Sequence, residues 1–141
     1  MLDILFFSAI AFYFVTMIVQ FCSLIIKKDG VRKAAWILAV ASFAVITAYL
    51  VARGIEAGRL PLSNQFEFTA AFGWGIGLFC IVLHLRLKQD WVLTFGLPAA
   101  FMALSYGAFL PREIGELMPA LRSAWFGLHI GSAVFSYSAF A

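Results

Sequence analysis

The chain has 141 residues, of which 64% are hydrophobic and only 12% charged, with a mean hydropathy of +0.98, whereas soluble domains are about 45–50% apolar and 25% charged. A helix that crosses a bilayer needs about 20 apolar residues, so this length holds about five spans with short links and excludes a soluble catalytic domain. The net charge of +3 comes from ten Lys and Arg against seven acids, a balance that in so apolar a chain reports membrane topology and not a nucleic-acid surface.

In chain order, apolar runs cover about residues 4–26, 34–52, 66–85, 91–110 and 124–141, separated by charged or Pro-containing links. A membrane β-barrel would show segments of about ten residues alternating apolar and polar, and none is present. Backbone groups in hydrocarbon must be satisfied within their own segment, so the expectation is an all-α, polytopic integral membrane helical bundle. It forms a single transmembrane domain of about five helices over 1–141. The first run is too long for the apolar region of a signal peptide and carries Asp3 in place of a basic leader, so it reads as a retained span.

The links give the orientation. Lys27, Lys28, Arg32 and Lys33 lie in the first and Arg86 and Lys88 in the third, whereas Arg53 and Arg59, then Arg112 and Arg122, are offset by Glu56, Glu113 and Glu116. Six basic residues on one side against four on the other, with every lysine among the six, place the 27–33 and 86–90 links in the cytoplasm. The amino terminus and the 53–65 and 111–123 loops are then outside, and the membrane expected is a bacterial inner (plasma) membrane. The fifth run enters from outside after Arg122 and meets no basic stop. A truncated last helix, and an amino-terminal part of a longer protein, are expected.

Few residues carry chemistry. Cys22 and Cys80 have neither C-x-x-C spacing nor a C-x-x-C-H haem attachment box and read as small residues in helix packing. Histidine within a span is a functional hypothesis by default. His129 stands roughly 10 Å of helix below Arg122, with Trp125 one turn above on the same face. An imidazole there can ligate haem iron, with the indole as a flat apolar wall; it can equally hydrogen-bond a neighbouring helix. His84, just before Arg86 and Lys88, reads as interfacial. At 1.5 Å per residue the two histidines differ in depth by roughly 17 Å. That is too far to clamp one haem between them, which disfavours a simple b-type cytochrome.

Glu67 is the only acid in the interior of a span. Ser63 or Asn64 can cap that helix, with Glu67 facing its positive end; a polar contact to a substrate or partner is the second reading. Gly73, Gly75 and Gly77, with Trp74, would let the third helix approach a neighbour closely. Between Pro111 and Pro119 a short interfacial helix is expected, with Met118 packing in it. No hydrolase grouping or phosphate loop is visible.

Two stretches carry a family resemblance. Gly58-Arg59-Leu60-Pro61-Leu62-Ser63-Asn64-Gln65-Phe66-Glu67 resembles the GxxPLSNxYE motif of the CcsA, or ResC, cytochrome c biogenesis proteins. The run Leu117-Met118-Pro119-Ala120-Leu121-Arg122-Ser123-Ala124-Trp125-Phe126-Gly127-Leu128-His129-Ile130, leading into Phe135-Ser136-Tyr137-Ser138-Ala139-Phe140, resembles that family's LVPALxSxWLxxHV and SYxAF pattern. Phe66 stands where the family usually has Tyr, and His84 has no secure counterpart.

The resemblance implies the haem-handling subunit of the system II cytochrome c synthase, working with a CcsB (ResB) partner. Haem, b-type, non-covalent and in transit, would be presented at the outer face for covalent attachment to apocytochrome c, with His129 matching the first of two external axial ligands and Trp125 beside it as a haem wall. The family's tryptophan-rich loop and second external histidine belong beyond residue 141, so this stretch alone is not expected to be an active haem lyase. Ser63, Asn64 and Glu67 belong to the first motif without an assigned role. The rival readings are a non-catalytic structural or transport subunit of the membrane and a b-type haem protein.

Overall fold

The computed structural model describes residues 1–115 and 123–141. Among them are five helices, α1 (Leu2–Ile26), α2 (Asp29–Ala57), α3 (Gln65–Leu87), α4 (Trp91–Gly107) and α5 (Ala124–Phe140), and no strand. The all-α bundle expected from the apolar runs is what the chain forms. The first three helices are long and apolar enough to cross a membrane. α4 and α5, at 17 residues each, sit at the lower limit of a spanning length. The chain is an integral membrane protein, and its outside is apolar accordingly: Ile4, Phe7, Phe14, Ile37, Phe95 and Met102 are all exposed.

α1 packs on α2 and α4, and α3 on α4 and α2, closing a four-helix ring; α5 lies against α3 from outside it. The core holds Phe6, Tyr13, Ile46, Tyr49, Phe66, Leu93, Leu97 and Leu104. Phe6 meets Phe66 and Tyr49 at centroid distances of 5.0 and 5.2 Å, the edge-on and tilted arrangements that aromatic quadrupoles favour. Polar side chains inside the ring pair across helices. Thr16 Oγ1 and Ser42 Oγ lie 2.8 Å apart, and Gln20 Nε2 donates to Asp90 O and Thr94 Oγ1, both at 3.1 Å.

The glycines of α3 do more than admit one neighbour. Gly73 and Gly77, four residues apart, share one face of α3 at successive turns, and Gly75 points about 200° away from each. A Cβ on Gly73 would lie 2.8 Å from Leu104 of α4, one on Gly75 would collide with Ser138 of α5, and one on Gly77 with the Tyr13 hydroxyl of α1. α3 is therefore the hub that three helices approach closely.

Two boundaries differ from the sequence expectation. α2 starts at Asp29 and runs to Ala57, five residues beyond the apolar run that ends at 52, because the charge at Arg53 is neutralised inside the protein. Gly58, at φ 62°, then ends the helix in the left-handed conformation that glycine adopts without steric cost. The second half of α5 packs on the first half of α3: Tyr137 meets Phe68, Phe135 meets Trp74, and Ser138 Oγ donates to Phe72 O at 3.2 Å.

Candidate functional site

Where α2 ends and α3 begins, on either side of the 58–64 loop, the sequence places two arginines and one acid. Asn64 is the N-cap of α3, its Oδ1 accepting from Glu67 N–H at 2.8 Å, as the side chains of Asn, Asp and Ser do at helix starts. Of the two candidate caps, Asn64 is therefore the one used. Glu67 reaches back, and its Oε2 accepts from the backbone N–H of Ser63 at 2.7 Å. This is a capping box displaced by one residue, with the acid in the third helical position.

Capping is only part of what Glu67 does. Its side chain is fully buried and Arg53 is 2% exposed. Arg53 Nε donates to Glu67 Oε1 at 3.0 Å, with Nη2 at the same distance from that oxygen, and Arg59 Nη1 donates to Oε2 at 3.0 Å. Arg59 also donates to Ser63 Oγ. Both carboxylate oxygens are thus occupied. One further donor of each guanidinium crosses to the loop after α4, Arg53 Nη1 to Arg112 O at 2.9 Å and Arg59 Nη2 to Gly115 O at 3.2 Å. Phe66 lies against Arg53, with its ring centroid 4.8 Å from Cζ, a cation–π contact. Arg112 continues the chain of charges, pairing with Asp3 at 3.1 Å and donating to Ala108 O.

Arg53 and Arg59 were legible only as loop charges. Arg53 is instead buried in the last turns of α2. The signal that could have found it is the lone intramembrane acid, since a buried carboxylate requires a partner and Arg53 and Arg59 are the nearest bases upstream.

α5 begins at Ser123, whose Oγ accepts from Phe126 N–H at 3.1 Å. Trp125 is 80% exposed, and His129, one turn on, is exposed on the same face. The opposite face carries the packing: a Cβ on Gly127 would sit 3.7 Å from Leu60 Cδ1, and Gly131, Val134 and Phe135 line an apolar groove of about 510 Å³ with Val51, Leu60 and Trp74. Among the described residues the His129 ring has no hydrogen-bond partner, and its backbone carbonyl accepts from Ser132 Oγ. An exposed imidazole one turn from an exposed indole has the chemistry to ligate a metal at the centre of a planar apolar macrocycle.

The structure thus brings Ser63, Asn64 and Glu67 into one cluster and leaves Trp125 and His129 apart from it, on the outward face of a different helix. His84 is at the other end of α3, half-buried, stacked on Trp36 at 4.7 Å and 3.2 Å from Gln89 O. Cys22 is exposed and Cys80 buried, both as free thiols, and no three metal-binding side chains gather among the described residues. Met118, Pro119, Arg122, Glu116 and the expected interfacial helix around them lie outside the described residues.

No family model matches the sequence. Curated relatives do. The chain is 34% identical over 104 residues to the cytochrome c biogenesis protein CcsA of Ranunculus macranthus, covering 71% of this chain and 33% of that protein. It is 29% identical over 129 residues to CcsA of Pinus thunbergii, covering 88% of this chain and 40% of that one. With CcsA of Prochlorococcus marinus (strain NATL2A) it shares 27% over 141 residues, 94% of this chain and 43% of the relative. The chain spans well under half the length of the relatives it matches.

Proposed function

Because the chain belongs, over most of its length, to the CcsA family of cytochrome c biogenesis proteins, we propose that it contributes the outer-face haem-holding helix of a cytochrome c assembly protein. Haem is the substrate, b-type and non-covalently held in transit, and is joined to apocytochrome c outside the membrane with a CcsB-like subunit as partner. The single observation that carries this reading is the exposed Trp125–His129 face of α5, an imidazole beside an indole one turn away, opposite the face that packs on Leu60 and the groove.

In this reading His129 supplies neutral imidazole to one side of the iron and Trp125 flanks the macrocycle. Axial ligation fixes which face of the haem is presented. The joining chemistry, addition of a cysteine S–H across a vinyl C=C, asks for positioning and not for a protein nucleophile. The orientation that puts this face outside follows from the lysines. Lys27 and Lys88 cap the inner ends of α1 and α3, both at positive φ, where an ammonium meets the carbonyl end of the helix dipole.

The test is maturation of a reporter cytochrome c in cells whose only copy of the full-length protein carries His129→Ala. Holocytochrome should fall to a small fraction of the parental level and recover in part when imidazole is supplied. Parental yield without imidazole would refute the ligand assignment and leave α5 as a packing element of a structural subunit.

A further inference from the structure

The buried charges at the outer end of the bundle are more than a cap and more than a neutralised arginine. Glu67 is saturated by Arg53, Arg59 and the Ser63 N–H, which completes the joint between α2, the first outer loop and α3. Yet each guanidinium spends a further donor on a backbone carbonyl of the second outer loop, Arg112 O and Gly115 O. Those two bonds add nothing to the α2–α3 contact. What they do is hold residues 112–115, the stretch that leads along the chain to α5, against the first loop. Leu60, in that first loop, packs toward Gly127 of α5, which lies midway in sequence between Trp125 and His129, two residues from each.

We infer that the Arg53–Glu67–Arg59 cluster is a latch between the two outer loops, and that these three are positioning residues setting where α5 presents His129. The inference rests on the proposed role of α5, but the latch itself is a statement about loops. Arginine is required in it for geometric reasons. A guanidinium has five donors in a rigid fork and can serve a carboxylate and a carbonyl in different directions at once, whereas an ammonium is a compact point charge on a flexible stem. The carboxylate is required because, without it, two cations are left close together in a site from which water is excluded. Arg112 O and Gly115 O would then be released with the guanidiniums that hold them.

Arg59→Lys separates the latch from simple folding, since it keeps the charge opposite Glu67 and loses the second arm. It is made in the full-length membrane protein, beside Glu67→Gln. The readouts are amide hydrogen exchange of residues 111–115 and oxidative cross-linking of Leu60→Cys with Gly127→Cys in a background lacking Cys22 and Cys80. Arg59→Lys is expected to raise exchange of the loop by about tenfold, the loss of one charge-assisted hydrogen bond, and to slow cross-linking by a comparable factor. Glu67→Gln should do at least as much. Exchange and cross-linking in Arg59→Lys equal to the parent would overturn the latch, including the case in which Glu67→Gln fails to accumulate, because the cluster would then serve folding alone. His129→Ala should change neither readout. If it abolishes haem binding or leaves it intact with the loop unchanged, the ligand assignment and the latch are judged separately.

Discussion

Arg53, in the last turns of α2, donates from Nε to Oε1 of Glu67, in the first turn of α3, at 3.0 Å, and both side chains are buried. Fourteen residues of sequence separate them, and between them lies the whole α2–α3 loop. Closing that loop on a buried ion pair fixes its ends, and the stability of this end of the bundle depends on the pair staying complete.

Removing one partner of a buried pair costs about 3–5 kcal/mol, because the other charge is left uncompensated. Glu67→Gln should therefore lower stability by about 3 kcal/mol or more, read as the midpoint of reversible denaturation in detergent. Glu56→Gln, on an exposed residue of the same turn region, should stay within about 0.5 kcal/mol. Equal, small effects would show the pair to be energetically idle.

Gly77 and Tyr13 make a complementary pair. The Tyr13 hydroxyl is buried without a hydrogen-bond partner among the described residues and occupies the space where Gly77 has no side chain. Gly77→Ala should destabilise by about 1–3 kcal/mol through overpacking. Tyr13→Phe removes an unsatisfied polar group and should be neutral or stabilising, and it should rescue Gly77→Ala in the double variant. Gly131→Ala, with open space around it, is the control and should be tolerated. Failure of Tyr13→Phe to rescue would place the strain elsewhere.

Orientation is checked by labelling. In a cysteine-free background, Leu60→Cys should react with a membrane-impermeant maleimide added outside intact cells, and Gln89→Cys only after permeabilisation. Both positions are exposed. The reverse pattern would invert the topology and put Trp125 and His129 on the cytoplasmic side.

Much of this architecture is written in the sequence, and the parts that are not have identifiable reasons. The helices are legible because uninterrupted apolar runs leave hydrocarbon-embedded backbone no alternative. A cap is legible in Ser63 and Asn64 just before Glu67, and the choice of Asn64 between the two is what the structure adds. The extension of α2 to Ala57 is not, since Arg53 ends an apolar run and looks like a loop charge until its partner is known. The glycines of α3 announce close approach, but their three different partners, Leu104, Ser138 and Tyr13, follow only from the arrangement of the ring. The seating of α5 on α3 leaves no periodic trace either. What sets it is side-chain packing of Val134, Phe135 and Ser138 on α3 and the groove, and sequence spacing does not encode a crossing angle. The outward face with Trp125 and His129 was legible as a face, through its one-turn spacing, and its exposure is what the structure adds.

The visible absorption spectrum of the purified full-length protein reads the central assignment most directly. Haem carried by the parent should show the low-spin bands of an imidazole-ligated iron, and His129→Ala should lose most of that haem or its low-spin bands and regain them on addition of imidazole. Parental haem content with an unchanged spectrum in His129→Ala, oxidised and reduced, would contradict axial ligation by His129.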